Sequence, residues 1–167
     1  MPSESGASSI APTHVEAIAG YLEGAEVAFE LVAHEPAMSA TAEAHAAGIS
    51  PEQVAKTIVL HDGSAYVIAA IPASERLDLR KLRELVGASR RLRLASEVEI
   101  ARALPSFDVG AIPPFGPMLP AAELLDIRLA SQERILCPAG DHRHSVLLDP
   151  REVVRITAAT VADICES

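Results

Sequence analysis

The apolar positions of the chain change period several times, and each change marks an element. Val15, Ile18, Ala19 and Leu22 recur at helical spacing behind a Thr13-His-Val-Glu16 capping box and stop at Gly24, which predicts an amphipathic helix. Residues 27–33 alternate as a strand does, and His34-Glu35-Pro36 breaks them. Residues 40–47 predict a short helix closed by Gly48. Ser50-Pro51-Glu52-Gln53 then combines an N-cap, a proline at the first helical position and a capping-box glutamine, predicting one further turn. Residues 57–61 and 65–71 flank Asp62-Gly63, whose positive φ angles suit a two-residue hairpin turn. Both arms are apolar throughout, which places them at the centre of a sheet.

Asp78 caps a helix to Val86 with Gly87 just beyond its end, burying Leu79, Leu82 and Leu85 or Val86. Residues 91–94 predict a short strand, and Ser96-Glu-Val-Glu99 is the capping box of a helix ending near Leu104. Residues 109–120 hold two Gly and four Pro in 12 positions. Such a stretch cannot be helix and can donate few hydrogen bonds to a sheet. Ile112, Phe115, Met118 and Leu119 make it too apolar for a solvated linker, so it predicts an ordered loop whose amides are presented rather than paired. Strands follow at 123–129, 134–137 and 145–148, Asp149-Pro150 opens a last helix, and residues 160–164 suit a final strand.

Composition narrows the class. Of 167 residues, 49% are apolar and 3% aromatic, with no Trp, so one domain can build a core of Ala, Val, Leu and Ile but has little with which to stack bases. Residues 1–12 read as a small, polar leader ahead of a domain at 13–167. The net charge of −9 argues against wholesale capture of nucleic acid and predicts a cytoplasmic protein. Seven of the 14 bases nevertheless fall in 76–93: Arg76, Arg80, Lys81, Arg83, Arg90, Arg91 and Arg93. That local face could meet a phosphate backbone or simply be solvated. Two cysteines, Cys137 and Cys165, fit free buried thiols, and no apolar run approaches the roughly 18 residues of a membrane span.

The chemical anomaly is Lys56, one of only two lysines, at the mouth of the apolar run 54–60. An ammonium there must either snorkel to solvent or find an anion. No phosphate-binding P-loop, dinucleotide glycine pattern, nucleophile elbow or zinc His-Glu-x-x-His is present. Cys137, Asp141, His142 and His144 do not have the spacing of a structural zinc motif, so neither metal nor cofactor is expected. The cation, the Gly/Pro loop and the His-rich turn at 139–144 together suit an acyl or phosphate-bearing ligand, with water as attacker.

Ala55-Lys56-Thr57, Arg76-Leu-Asp-Leu-Arg-Lys-Leu, the loop 109–116, and Ala139-Gly140 with Ser145-Val146 and the segment 161–164 resemble, in that order, the YbaK/EbsC family of Cys-tRNA(Pro) deacylases and prolyl-tRNA synthetase-associated editing domains. The resemblance implies a single α+β domain, a mixed and mostly antiparallel sheet with flanking helices, that hydrolyses mischarged aminoacyl-tRNA. It implies no cofactor, and an aminoacyl-tRNA synthetase as a second partner. The family lysine falls on Lys56, beside Thr57, and the Gly-x-x-x-Pro loop on Gly110, Ala111, Ile112, Pro113 and Pro114. The late histidine of some relatives falls on His142 or His144, after Gly140 and Asp141. Many such deacylases have Ser-Pro where Pro113-Pro114 stands, and His34 stands where some carry an aromatic, so a non-catalytic binding module of the same fold is the second expectation.

Overall fold

The computed structural model describes residues 14–87 and 91–167; the expected leader, the Thr13 cap and Arg90 lie outside them. Helix α1 (His14–Gly24) buries Ile18 and Leu22, the inward positions of its stripe. Strand β1 (Phe29–Ala33) leads to α2 (Ala40–Ala47), where the Ser39 side chain accepts the Ala42 amide and Gly48 closes the far end at φ +69°. Pro51–Gln53 forms one 3-10 turn, but Ser50 makes no side-chain cap; its hydroxyl donates to Glu52 instead.

The hairpin is β2 (Ala55–His61) with β3 (Tyr66–Pro72), in register from Ala55↔Pro72 to His61↔Tyr66. Its turn is shifted by one residue from the expected Asp62-Gly63. Asp62 bonds Ala65 through its amide and also accepts the Ser64 and Ala65 amides on Oδ1, so Gly63-Ser64 is the tip. Helix α3 (Leu79–Val86) is capped by Asp78 and Gly87 as expected, and it buries Leu82 fully while Leu85 lies exposed. Strand β4 (Arg93–Leu94) precedes α4 (Glu97–Ala103), which has both halves of its capping box.

The Pro-rich loop is ordered and inward. Residues 111–116 are all buried, Phe115 completely, and its ring lies 6.0 Å from that of Tyr21 on α1. Each such apolar side chain contributes roughly 1.5–3 kcal/mol on burial. The prolines reduce what ordering costs, because their φ is already fixed. A 3-10 turn at Gly116–Met118 leads into β5 (Ala122–Asp126). The strand expected at 123–129 stops at Asp126, whose carboxylate accepts the Arg128 amide and starts helix α5 (Ile127–Ala130). β6 (Ile135–Pro138), β7 (His144–Leu148), α6 (Pro150–Thr157) and β8 (Thr160–Ala162) complete the chain.

The strands form two sheets rather than one. The first has the order β1-β7-β6, all antiparallel, and the second β4-β2-β3-β5-β8, in which β3–β5 and β5–β8 are parallel. Among the described residues a single parallel bridge, Val54 to Leu136, links them. The largest core cluster fills the space between the sheets, α1 and the Pro-rich loop. A second lies between the other face of the five-stranded sheet, α3 and the segment around Cys165. Among the described residues β4 pairs only with Leu60 and His61, and none forms a strand beside residues 55–58 on that edge of β2. Among the described residues no helix is long and apolar enough to cross a membrane.

Candidate functional site at the seam of the two sheets

The open edge of β2 forms one wall of a cavity of about 210 Å³. The other walls are Met38, Ser39, Ala40 and Glu43 from the start of α2, Gly110 and Ile112 from the Pro-rich loop, and Pro138 at the end of β6. The cavity thus straddles both sheets. Four residues singled out in the sequence, Lys56, Thr57, Gly110 and Ile112, meet there.

The Lys56 ammonium makes no hydrogen bond or ion pair with any described residue, and the Thr57 hydroxyl is buried without a partner among them. Leaving a buried hydroxyl unpaired costs roughly 1–3 kcal/mol, which a ligand accepting or donating there would remove. Gly110 has φ +90°, and a methyl group on it would stand 3.1 Å from the Met38 carbonyl oxygen and 3.5 Å from His142 Cε1. The Ala111 amide is not presented to the cavity, contrary to expectation: it donates to the Asp108 carbonyl at 3.0 Å in a tight turn. The Gly110 and Ile112 amides have no acceptor among the described residues, and both residues line the cavity. Pro113 and Pro114 are buried outside the lining.

The late turn supports this loop more than it faces the cavity. Gly140 is buried against α1, donates its amide to the Ala111 carbonyl and accepts the Asp108 amide. His142 exchanges two bonds with Ala37: its carbonyl accepts the Ala37 amide at 2.8 Å, and its Nδ1 donates to the Ala37 carbonyl at 3.2 Å. It therefore sits beside Gly110, whereas His144 turns to the Asp141 carboxylate at 3.0 Å. Burial works to raise the Asp141 carboxyl, but the Arg143 amide and His144 outweigh it and hold it below its usual range. Of the two histidines, His142 is the one next to the loop.

Three buried carboxylates were missed in the sequence: Asp126, fully buried and paired with Arg128, Glu43 and Glu123. Glu43, 5% exposed, bonds the Ser145 hydroxyl, and Ser145 also lies 2.8 Å from His34 Nε2. Burial pushes Glu43 up to about 7 against the opposing Ser145 bond. Glu123, also 5% exposed, accepts the Gly116 amide at 2.8 Å and pins the far end of the Pro-rich loop; burial pushes it up to about 8. The only sequence signal for Glu43 was an acid in a helix otherwise made mostly of Ala, which reads as a favourable charge in the first turn.

The basic cluster divides. Lys81 donates to Asp163 and to the Cys165 carbonyl, Arg83 to the Leu92 carbonyl and Arg93 to Glu99 in a bidentate pair, so these three are committed to the fold. Arg76, Arg80 and Arg91 are exposed with no side-chain partner among the described residues.

The sequence profile of the aminoacyl-tRNA editing domain matches residues 34–156. The chain belongs to that family. Among solved structures, the editing domain is similar to a protein proposed as a trans-editing enzyme for prolyl-tRNA synthetase, at 26% identity and a TM-score of 0.81 over 95% of this chain and 100% of that one. It is similar too to a protein from a study of computational epitope grafting onto scaffolds, at 28% identity and a TM-score of 0.80 over 95% and 99%. A hypothetical protein shares the fold at 24% identity and a TM-score of 0.80 over 89% and 99%. No curated protein matches the editing domain.

Proposed function

We propose that the protein is a trans-editing deacylase that hydrolyses the ester of a mischarged aminoacyl-tRNA, with water as nucleophile and no cofactor. The observation that carries this reading is the meeting of Lys56, Thr57, Gly110 and Ile112 around one small cavity at an open strand edge. Lys56 anchors a phosphate or ribose oxygen at the tRNA end, since an unpaired ammonium at a pocket wall favours an anionic or oxygen-rich ligand. The Gly110 and Ile112 amides hold the ester carbonyl as charge develops on it, and the Thr57 hydroxyl bonds the aminoacyl group. His142 packs against the loop and keeps it in place. At about 210 Å³ the cavity takes a small aminoacyl group. Of the described residues in the 76–93 cluster, Arg76, Arg80 and Arg91 are left free to contact the tRNA backbone, and the reaction suits a protein of the cytoplasm working alongside a synthetase.

One observation favours the alternative, a non-catalytic binding module: Pro113 and Pro114 lack amides and the Ala111 amide is already bonded, which leaves the loop fewer donors than its length allows. A deacylation screen over a panel of mischarged tRNAs separates the two. Turnover of at least one tRNA, lowered about 100-fold or more by Lys56→Ala with the fold retained, is the expected result, on the scale of losing one preorganised electrostatic group. Binding of aminoacyl-tRNA without turnover of any would select the module.

A further inference from the structure

Glu43, Ser145 and His34 form a hydrogen-bonded chain from the cavity wall towards the surface. Glu43 comes from α2, Ser145 from β7, and His34 from the segment after β1. His34 Nδ1 lies 2.8 Å from the Glu35 carbonyl oxygen; a carbonyl can only accept, so Nδ1 carries a proton. The Ser145 hydroxyl has one proton and is bonded on both sides, to Glu43 Oε2 and to His34 Nε2. With the same number of protons, two arrangements make both Ser145 bonds. In one, a neutral Glu43 donates to Ser145 and Ser145 donates to a neutral His34. In the other, an imidazolium His34 donates to Ser145 and Ser145 donates to a Glu43 carboxylate. They interconvert by proton movement alone. Glu43 lines the cavity, and its Oε1 has no hydrogen-bond partner among the described residues.

We infer that Glu43 is the proton-transfer group of the site, with Ser145 and His34 as the positioning residues that hold its carboxylate. The inference rests on reading the cavity as a deacylase site. A water that attacks an ester must lose a proton, and among the described residues Glu43 and Lys56 are the only titratable side chains lining the cavity. An ammonium has no lone pair to accept it. One O–H bond of the water breaks as its proton passes to Glu43 Oε1, and the water oxygen forms a bond to the ester carbonyl carbon. The bond from that carbon to the ribose oxygen then breaks, and the proton on Oε1 passes to the leaving ribose oxygen. Glu43 returns to the carboxylate, and the products are the free amino acid and the tRNA hydroxyl. A carboxyl moved towards neutrality is suited to both halves of that exchange. The groups that bear on its titration are Ser145 and, through it, His34, Cys137 across the β6 side, and Lys56 on the far wall.

The test is single-turnover deacylation between pH 5 and 9 of the mischarged tRNA selected by the screen, with affinity measured on a non-hydrolysable amide analogue of the same aminoacyl-tRNA. Glu43→Gln is expected to bind the analogue like the parent, to lower the rate about 100-fold or more and to remove the acid limb of the pH profile. Ser145→Ala and His34→Ala are expected to move the midpoint of that limb upward, because each removes support for the carboxylate; a merely structural role would lower the rate without moving it. Glu43→Gln turning over at the parent rate, while Lys56→Ala does not, overturns the inference and leaves the deacylase reading standing. If Glu43→Gln does not fold, the Ser145→Ala midpoint decides, and an unmoved midpoint overturns it. A parent inactive on every tRNA overturns the deacylase reading and this inference with it.

Discussion

Gly110 is the residue at which the Pro-rich loop meets the cavity with a left-handed backbone. Its φ of +90° is strained for any residue with a Cβ, by about 1–2 kcal/mol, and the added methyl would meet the Met38 carbonyl. Gly110→Ala is therefore expected to lower denaturant stability modestly while reducing kcat/KM about 100-fold or more, since a displaced amide no longer meets the ester carbonyl. Equal proportional losses in stability and turnover would assign the glycine to the fold alone. Lys56 and Gly110 were legible in the sequence because their peculiarity is local: a cation opening an apolar run, a glycine opening a proline-rich one. Glu43 was not, because what makes it unusual comes from Ser145, 102 residues further on, and from His34. Nothing near Glu43 in sequence announces either contact.

Apart from the Ser50 cap and the one-residue shift of the Asp62-Gly63 turn, elements with local signals formed where expected, and those that depend on distant partners drifted. Both caps of α3 and the Ser96 capping box are satisfied within a few residues and were read correctly. The strand expected at 123–129 shortened because Asp126 is held from outside: it accepts the Ile164 amide at 2.9 Å and pairs with Arg128, so it caps a helix instead of extending β5. The basic face of α3 drifted for the same reason. Asp163, held down to about 2 by Arg128 and then Lys81, draws Lys81 away from solvent. The charge reversal of Arg76 and Arg80 together is expected to weaken binding of every tRNA alike and to flatten its salt dependence. Three phosphate contacts give a slope of roughly −2 to −3 in log affinity against log salt, and two of them would be lost. Arg83→Glu should instead lower the melting temperature, because its guanidinium is bonded to the Leu92 carbonyl. Filter binding across a salt series, with melting curves beside it, separates the two; an unchanged slope in the double variant would make the face a solvated one.

For the molecule as a whole the raised carboxyls of Glu43 and Glu123 set an unusual response to pH. A carboxyl whose folded value is raised contributes stability that is present below its unfolded value and is lost as pH rises through the folded one. Glu43 at about 7 and Glu123 at about 8 therefore weaken the fold between about pH 4.5 and 8. At about 1.4 kcal/mol per unit the effect is of order 3 kcal/mol or more for each. Glu99 and Asp163, held down to about 2 by their arginine partners, act in the opposite sense and lose their contribution as pH falls below about 4.5. Denaturant midpoints are expected to peak near pH 5 and to decline towards pH 8, with Glu123→Gln flattening the alkaline side. Midpoints that rise from pH 5 to 8 would show that both carboxyls ionise without penalty.

The single bridge between Val54 and Leu136 leaves the cavity with one dimension that no hydrogen-bond register fixes. Its width is instead a matter of side-chain volume along the seam, where Ala44, Val54, Ala73 and Leu136 pack together. Exchanging one of these for a larger or smaller apolar residue would tilt one sheet against the other without breaking a ladder in either. Selectivity in such a scaffold can be retuned by a methyl group placed behind the pocket wall, and one backbone plan can then serve aminoacyl groups of different size.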